Sequence, residues 1–292
     1  MAQRYIVTLP SMVGFTIKRR WAILRSYLLH IQTLFMNQKI KKYESLAQDA
    51  RRAVLTMIFE AQSSHIGSNF SCIDILAVLF EKMDLKKDKI IFSKGWAAAS
   101  AYYFLAQKGV IPKEDLSRYC KPNEEHYIGL VEPTVPGIHF AGGSMGYGLP
   151  AGVGFALSKK MKDEEGMIYV LMSDGEFAIG TTWESLLLAR HHKLDNLVVI
   201  IDHNGLQAMG TIDDILKMSI PFPFTAIDGH DFQALDTIFD TTQTTHTETP
   251  FIIDAITIKG KGVSFMENNN LYHYKPPSKE EYDLAVNELN HA

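Results

Sequence analysis

Cysteine is scarce in this chain, with only Cys72 and Cys120 among 292 residues. The two lie far apart and match no metal-ligand spacing, which excludes a disulfide framework and a zinc cluster. They read as core or surface thiols of a reducing compartment, so a cytoplasmic protein is expected. Cys72 falls beside a histidine loop, where a buried thiol is the preferred reading over a reactive one. Excess positive charge is also lacking. A net charge of −4 provides no basic face for nucleic acid. No apolar run reaches the roughly 18 residues that a membrane-spanning helix needs. Internal repeats and low-complexity linkers are missing as well. What remains is ordinary for a globular protein, with 46% hydrophobic and 21% charged residues.

The most informative stretch runs from Val170 to Gly210. Ile168–Leu171 and Leu197–Ile201 are short β-branched runs, the pattern of strands buried on both faces. Between them the spacing predicts a helix capped by Thr181 or Thr182, with Glu184 in its first turn and His191, His192 and Lys193 at its end. Strand, helix, strand is a βαβ unit with parallel strands and a right-handed crossover. Asp174 and Asn204 then sit at the carboxyl ends of neighbouring strands, where open α/β sheets bind ligands. A carboxylate, an amide oxygen and a backbone carbonyl just after Asn204 suit a hard cation such as Mg²⁺ that carries a phosphate. Gly175 leaves room for a phosphate oxygen near backbone N–H groups. Read alone, Asp174-Gly175 and Asn204-Gly205 are equally common turn dipeptides.

Along the rest of the chain the pattern predicts a helix over 42–60, the His65 loop, a helix from about Cys72 to Lys82, a strand at Ile90–Phe92 and a helix over Trp96–Gln107. Pro112 opens a short helix, 121–143 is a Pro/Gly-rich loop, and Gly148–Met161 is a small-residue helix. Pro221–Ile227 and Phe251–Thr257 read as strands, Thr241–Thr249 as a polar loop, and Ser278–Leu289 as a capped amphipathic helix. The fold class expected is α/β, a doubly wound, mostly parallel sheet with helices on both faces.

Ser173-Asp174-Gly175-Glu176, Thr182-Trp183-Glu184-Ser185 and Asn204-Gly205-Leu206-Gln207 together resemble the thiamin diphosphate signature of transketolases. The match is closest to the N-terminal subunit of the split bacterial form. Ser64-His65-Ile66-Gly67, Ser93-Lys94-Gly95, Pro136-Gly137 with Gly143-Ser144-Met145-Gly146-Tyr147-Gly148, Asp228-Gly229-His230-Asp231, Thr257-Ile258-Lys259-Gly260-Lys261-Gly262 and Tyr272-His273 continue the likeness in order. It covers about residues 40–290.

The resemblance implies an enzyme that moves a two-carbon ketol unit from a ketose to an aldehyde or sugar acceptor, using thiamin diphosphate and Mg²⁺ (or Ca²⁺ or Mn²⁺). Carried onto this sequence, Asp174, Asn204 and the carbonyl of Leu206 bind the metal. Gly175, Lys259 and His273 meet the diphosphate, Gly143 and Met145 line the cofactor, and His65 faces the thiazolium and the substrate hydroxyls, so His65 and His273 are the catalytic candidates. His191 and His192 read as a solvated helix end. The likeness stops where a pyrimidine-binding module would begin, and no candidate remains for that module's glutamate. A separate C-terminal transketolase subunit in a heterotetramer-like assembly is therefore the implied partner, and the chain alone should be inactive.

Three departures bear on substrate choice. Trp96 replaces the histidine of the usual S-K-G-H, an indole that donates but does not titrate. No histidine aligns at Gly129-Leu130, although His126 and His139 lie near, and Ile179 stands where a relay glutamate is common. An unusual sugar or keto acceptor that stacks on or is shielded by Trp96 is expected, and the Ser64–Gly67 loop with Trp96 resembles transketolase-like subunits of surface-polysaccharide gene clusters. Two rivals stay open: a non-catalytic or regulatory subunit that keeps the fold, and another thiamin-dependent carboligase.

The first 43 residues contain Arg4, Lys18, Arg19, Arg20, Arg25, Lys39, Lys41 and Lys42 and no acid. Trp21–Met36 is apolar with basic punctuation, a pattern shared by transit peptides and membrane-surface helices. Met36-Asn37-Gln38 reads like a normal start. The expectation is a domain over 36–292 preceded by a non-native or mis-assigned extension over 1–35, irregularly placed.

Overall fold

The computed structural model describes residues 12–208, 210–212, 222–245 and 248–291. Residues Met1–Lys42 and Tyr43–Ala292 form two separate compact units. Helix α1 spans Met12–Ala61, so the helix expected from residue 42 begins earlier. Residues 1–11 lie outside the described residues.

The remaining elements follow in order: α2 (Ile66–Ser71), α3 (Ile73–Lys82), β1 (Lys89–Phe92), α4 (Ala98–Gln107), α5 (Gly148–Met161), β2 (Ile168–Ser173), α6 (Gly180–His191) and β3 (Leu197–His203). After them come a two-stranded hairpin of β4 (Leu206–Gln207) and β5 (Gly210–Thr211), then β6 (Thr225–Asp228), α7 (Phe232–Thr244), β7 (Phe251–Ile256) and α8 (Lys279–His291). The main sheet has the order β1-β2-β3-β7-β6, and all its neighbouring strands pair in parallel. The doubly wound sheet expected from the sequence is present.

Strand faces alternate between two helical layers. Val170, Met172, Val199 and Ile201 share a buried cluster with Leu149 and Val153 of α5 and Leu186 of α6. On the other face the Tyr169 ring meets Phe239 of α7 edge-on, with centroids 6.3 Å apart. Chain order runs outward through β1, β2 and β3, then jumps to the edge strand β6 and returns to β7. Right-handed crossovers in opposite directions put their helices on opposite faces, and the reversal between β3 and β7 opens a crevice at the carboxyl edge. Ser173 pairs with Asp202, and His203 with Ile256. Asp174, Asn204 and Thr257 therefore leave the sheet side by side.

Several local expectations change. Neither Thr181 nor Thr182 caps α6. The Thr181 hydroxyl donates to the Gly146 carbonyl at 2.7 Å and that of Thr182 to the Glu176 carbonyl at 2.7 Å, so both tie the helix start to neighbouring loops. The first turn after Gly95 is 3₁₀ over Gly95–Ala97, and the one after Pro112 is 3₁₀ over Lys113–Arg118. Thr241–Thr244 belongs to the last turn of α7, where Thr241 and Thr244 return hydrogen bonds to carbonyls one turn back. The strand expected over Pro221–Ile227 occupies Thr225–Asp228, and residue 221 falls outside the described residues. Among the described residues, no helix is long and apolar enough to cross a membrane.

Candidate functional site

The loops that follow β1, β2, β3 and β7 meet the start of α2 and a 3₁₀ turn at Asn270–His273, and between them lies a cleft of about 570 Å³. Asp174, Gly175, Asn204 and Leu206 line its floor. His65, Trp96, Gly143, Met145 and His273 line its walls. Lys259 reaches the same space, donating to the Leu206 carbonyl at 3.5 Å and to His273 Nδ1 at 2.6 Å. The residues expected to meet metal, diphosphate, cofactor and acceptor are brought together here. His191 is exposed at the end of α6 and His192, just past it, is half-buried, so neither reaches the cleft.

Asp174 is almost wholly buried. Its two oxygens accept from the backbone N–H of Gly175 at 2.8 Å and of Gly205 at 2.6 Å. Burial, reinforced by nearby Asp202, pushes its carboxyl up to about 6, the response of a carboxylate short of positive charge. The Asn204 amide oxygen accepts from Leu206 N–H at 3.2 Å. One carboxylate, one amide oxygen and one backbone carbonyl form an all-oxygen donor set, which fits a hard divalent cation. Because only one of the three is acidic, the set differs from a carboxylate or histidine cluster, and none of that kind occurs among the described residues.

Lys259 brings the reverse electrostatics to the floor. Lys259 is 1% exposed, and its three hydrogen-bond acceptors are the Leu206 carbonyl, the Asn270 amide and His273, none of them a carboxylate. Burial and the charge of Lys94 push its ammonium down to about 8. Burial and these same lysines push His273 down to about 4. His65 falls to about 3, from burial first and then from His273, Lys259 and Lys94. A bound anion would reverse each shift. The residues present thus fit a diphosphate beside a metal.

His65 opens α2 in the left-handed region, at φ 70°. Its Nδ1 shares a 2.6 Å hydrogen bond with the Ser64 hydroxyl. Its ring stacks on Trp96, centroids 4.4 Å apart and 11° from parallel. Tyr274, next to His273, closes the same aromatic group at 5.6 Å from His65. Neither histidine near Gly129-Leu130 replaces the missing one, since His126 and His139 do not line the cleft. Gly143, at φ +119°, lies so close to Leu130 that a Cβ there would collide with the leucine side chain.

Sequence reasoning missed the residues that hold these loops in place. Glu176 is buried and accepts from the N–H groups of Ser173 at 2.9 Å and Gly146 at 3.0 Å, and from the Ser93 hydroxyl. It joins three cleft loops through one carboxylate, and its Ser-x-x-Glu spacing to Ser173 is a capping-box signal present in the sequence. Lys94 and Asp202 form a buried ion pair in which each holds the other charged against burial, with Ser71 and Thr257 completing the Asp202 shell. Asn69, fully buried, donates to the carbonyls of His65 at 3.0 Å and Trp96 at 3.1 Å and accepts from Ser100 N–H at 2.9 Å. Gly95 lets the Ser93–Trp96 loop cross Gly142 where a Cβ would strike backbone. Cys72 is wholly buried and its thiol is pushed up to about 12 by burial, so it is a core residue.

Residues 43–290 match the family model described as transketolase, thiamine diphosphate binding domain. The chain belongs to the transketolase family and carries its thiamine diphosphate-binding domain. It is 31% identical to a subunit of the apulose-4-phosphate transketolase of Phocaeicola vulgatus, over 86% of this chain and 95% of that protein. The protein of the same name from Actinobacillus succinogenes is 32% identical over 87% of this chain and 98% of its own length. The solved transketolase of Campylobacter jejuni superposes with a TM-score of 0.79 at 26% identity, over 86% of this chain and 43% of that one. The chain thus spans less than half of that solved transketolase.

Proposed function

We propose that this chain is the diphosphate-binding subunit of a two-subunit transketolase-like enzyme that transfers a two-carbon ketol unit from a ketose to an aldehyde or sugar acceptor. The observation that carries this reading is the paired chemistry of the cleft, where a cation-seeking oxygen set faces a buried ammonium with no hydrogen-bonded carboxylate. Asp174, Asn204 and the Leu206 carbonyl would hold Mg²⁺, and Lys259 and His273 would neutralise the diphosphate. Gly143 and Met145 would flank the cofactor. Bound thiamin diphosphate supplies the carbanion chemistry, while the protein orients and exchanges protons. His65 stays neutral, and with Nδ1 engaged by Ser64 it has Nε2 left for a substrate hydroxyl.

A separate pyrimidine-binding subunit would complete the site. The two apulose-4-phosphate transketolase relatives are each named as one subunit of their enzyme and align over nearly their whole length, which supports that arrangement. Two unpaired cysteines support a reducing, cytoplasmic setting. Trp96 in place of one histidine, and the lack of a histidine aligned at Gly129-Leu130, favour a second reading: a subunit that binds cofactor without turnover. Calorimetric titration of thiamin diphosphate and Mg²⁺ into the chain with its partner half tests the first. Metal-dependent binding should be lost in Asp174→Ala, by more than about 100-fold for removal of a direct ligand. Absence of binding in wild type, or binding unchanged in Asp174→Ala, overturns it. Binding without ketol transfer to any aldehyde selects the second reading.

A further inference from the structure

The Asp228-Gly229-His230-Asp231 motif lies outside the cleft, yet each of its residues is engaged. Asp228 accepts from His230 N–H at 2.8 Å, Gly229 N–H donates to the Ile256 carbonyl at 2.8 Å, and Asp231 caps α7. The His230 ring bridges two elements. Its Nε2 accepts from Ile258 N–H at 2.8 Å, so the ring carries its proton on Nδ1, which lies 2.7 Å from Asp74 Oδ2. The same Asp74 oxygen accepts from Arg51 Nη2 at 2.7 Å, and Arg51 Nε donates to the Lys261 carbonyl at 2.9 Å.

The two ends of this chain of contacts grasp the backbone on either side of Lys259. One holds residue 258 and the other residue 261. Both charged members are buried, Arg51 at 7% and Asp74 at 3% exposure. Burial pushes the Asp74 carboxyl up, but Arg51 and His230 hold it below the usual carboxylate range. Its second oxygen, Oδ1, is buried with no hydrogen-bond partner, so the network converges on Oδ2 alone. A buried pair of this kind contributes little net stability but fixes geometry, and removing one member leaves the other uncompensated.

We propose that His230, through Asp74 and Arg51, is a positioning residue that presents the Lys259 ammonium to the diphosphate. The inference rests on the functional reading above for the identity of the anion, though not for the placement of the loop. Inorganic pyrophosphate with Mg²⁺, titrated into the full chain, probes the anion site, and amide hydrogen exchange over 257–262 probes the loop. In His230→Ala, pyrophosphate binding should weaken about tenfold, as when a partner behind a direct ligand is lost, and exchange over 257–262 should rise while melting temperature changes little. His230→Gln, whose amide oxygen can still accept from Ile258 N–H, should recover most of both. Wild-type affinity in His230→Ala, or exchange over 257–262 unchanged, overturns the proposal. So does an equal loss in both variants accompanied by faster exchange throughout the unit. If the wild-type chain binds no pyrophosphate, the functional reading falls, while faster exchange over 257–262 in His230→Ala still upholds the positioning role.

Discussion

The floor of the cleft and its mouth are built by different forces. On the floor, Asp174 is pinned by two backbone N–H groups, Lys259 by three acceptors, and Asp202 by an ion pair and two hydroxyls. At the mouth, Trp96, Met145 and Tyr274 are 40%, 41% and 62% exposed, and ring contacts dominate over hydrogen bonds. Directional bonds between buried charges tolerate almost no change of residue type. Stacking accepts many shapes. The floor carries Asp174 and Lys259, on which the family likeness rests, and the mouth holds Trp96, where the chain departs. Difference in tolerance accounts for both.

The sharpest way to break this comparison is to remove a floor charge. Lys259→Met should weaken pyrophosphate binding by one to two orders of magnitude, from about 1.5–3 kcal/mol for a charged hydrogen bond. The ligand-free chain should be no less stable, because a buried ammonium with no carboxylate hydrogen-bonded to it gives way to an apolar side chain of similar length. Thermal melts and calorimetry read the two effects separately, and unchanged affinity would show that the floor is not an anion site. A smaller effect links floor to mouth. His65 is pushed down to about 3, mainly by burial, so on acidification the unfolded chain takes up a proton there before the folded one does. Its contribution to stability is present above the unfolded value of about 6.5 and is lost as pH falls towards about 3. The melting temperature of wild type should therefore drop more steeply across that window than that of His65→Asn, and parallel curves would refute the shift. The smallest effect on binding belongs to Trp96→His. Cofactor affinity should stay within about 0.5 kcal/mol, while KM for an aldehyde acceptor should change and the stacking against the His65 ring should weaken. A large loss of cofactor affinity instead would erase the distinction between the two regions.

The strand runs and the positions of Asp174 and Asn204 were legible because both depend on local pattern, while Lys259 followed only from the family resemblance. Ile168–Leu171 and Leu197–Ile201 announce buried parallel strands, and their carboxyl ends place Asp174 and Asn204 without further information. Glu176 was half legible, since Ser-x-x-Glu signals a cap, but its reach to Ser93 and Gly146 depends on tertiary crossing. Asn69 left no signal at all. Its partners are carbonyls of residues 65 and 96, and backbone groups carry no residue identity. The Thr181 and Thr182 caps failed for a related reason. A hydroxyl near a helix start satisfies whichever acceptor the fold brings closest, and here that acceptor came from other loops. The first helix began earlier than its apolar pattern indicated, because residues 12–41 contain no proline and a single glycine, Gly14, even where they lack an amphipathic stripe.

One shared amide has a consequence for how this site can change. Asn69 spends both hydrogens of a single NH₂ group on the carbonyls of His65 and Trp96, so the residue proposed to meet the cofactor and the residue proposed to meet the acceptor hang from one hinge pin. Drift at position 96 is free in its side chain but tethered in its backbone. Variation in acceptor choice can then accumulate by exchanging rings on a fixed mount, and a combinatorial library over positions 69 and 96 should retain activity only in clones that keep Asn69.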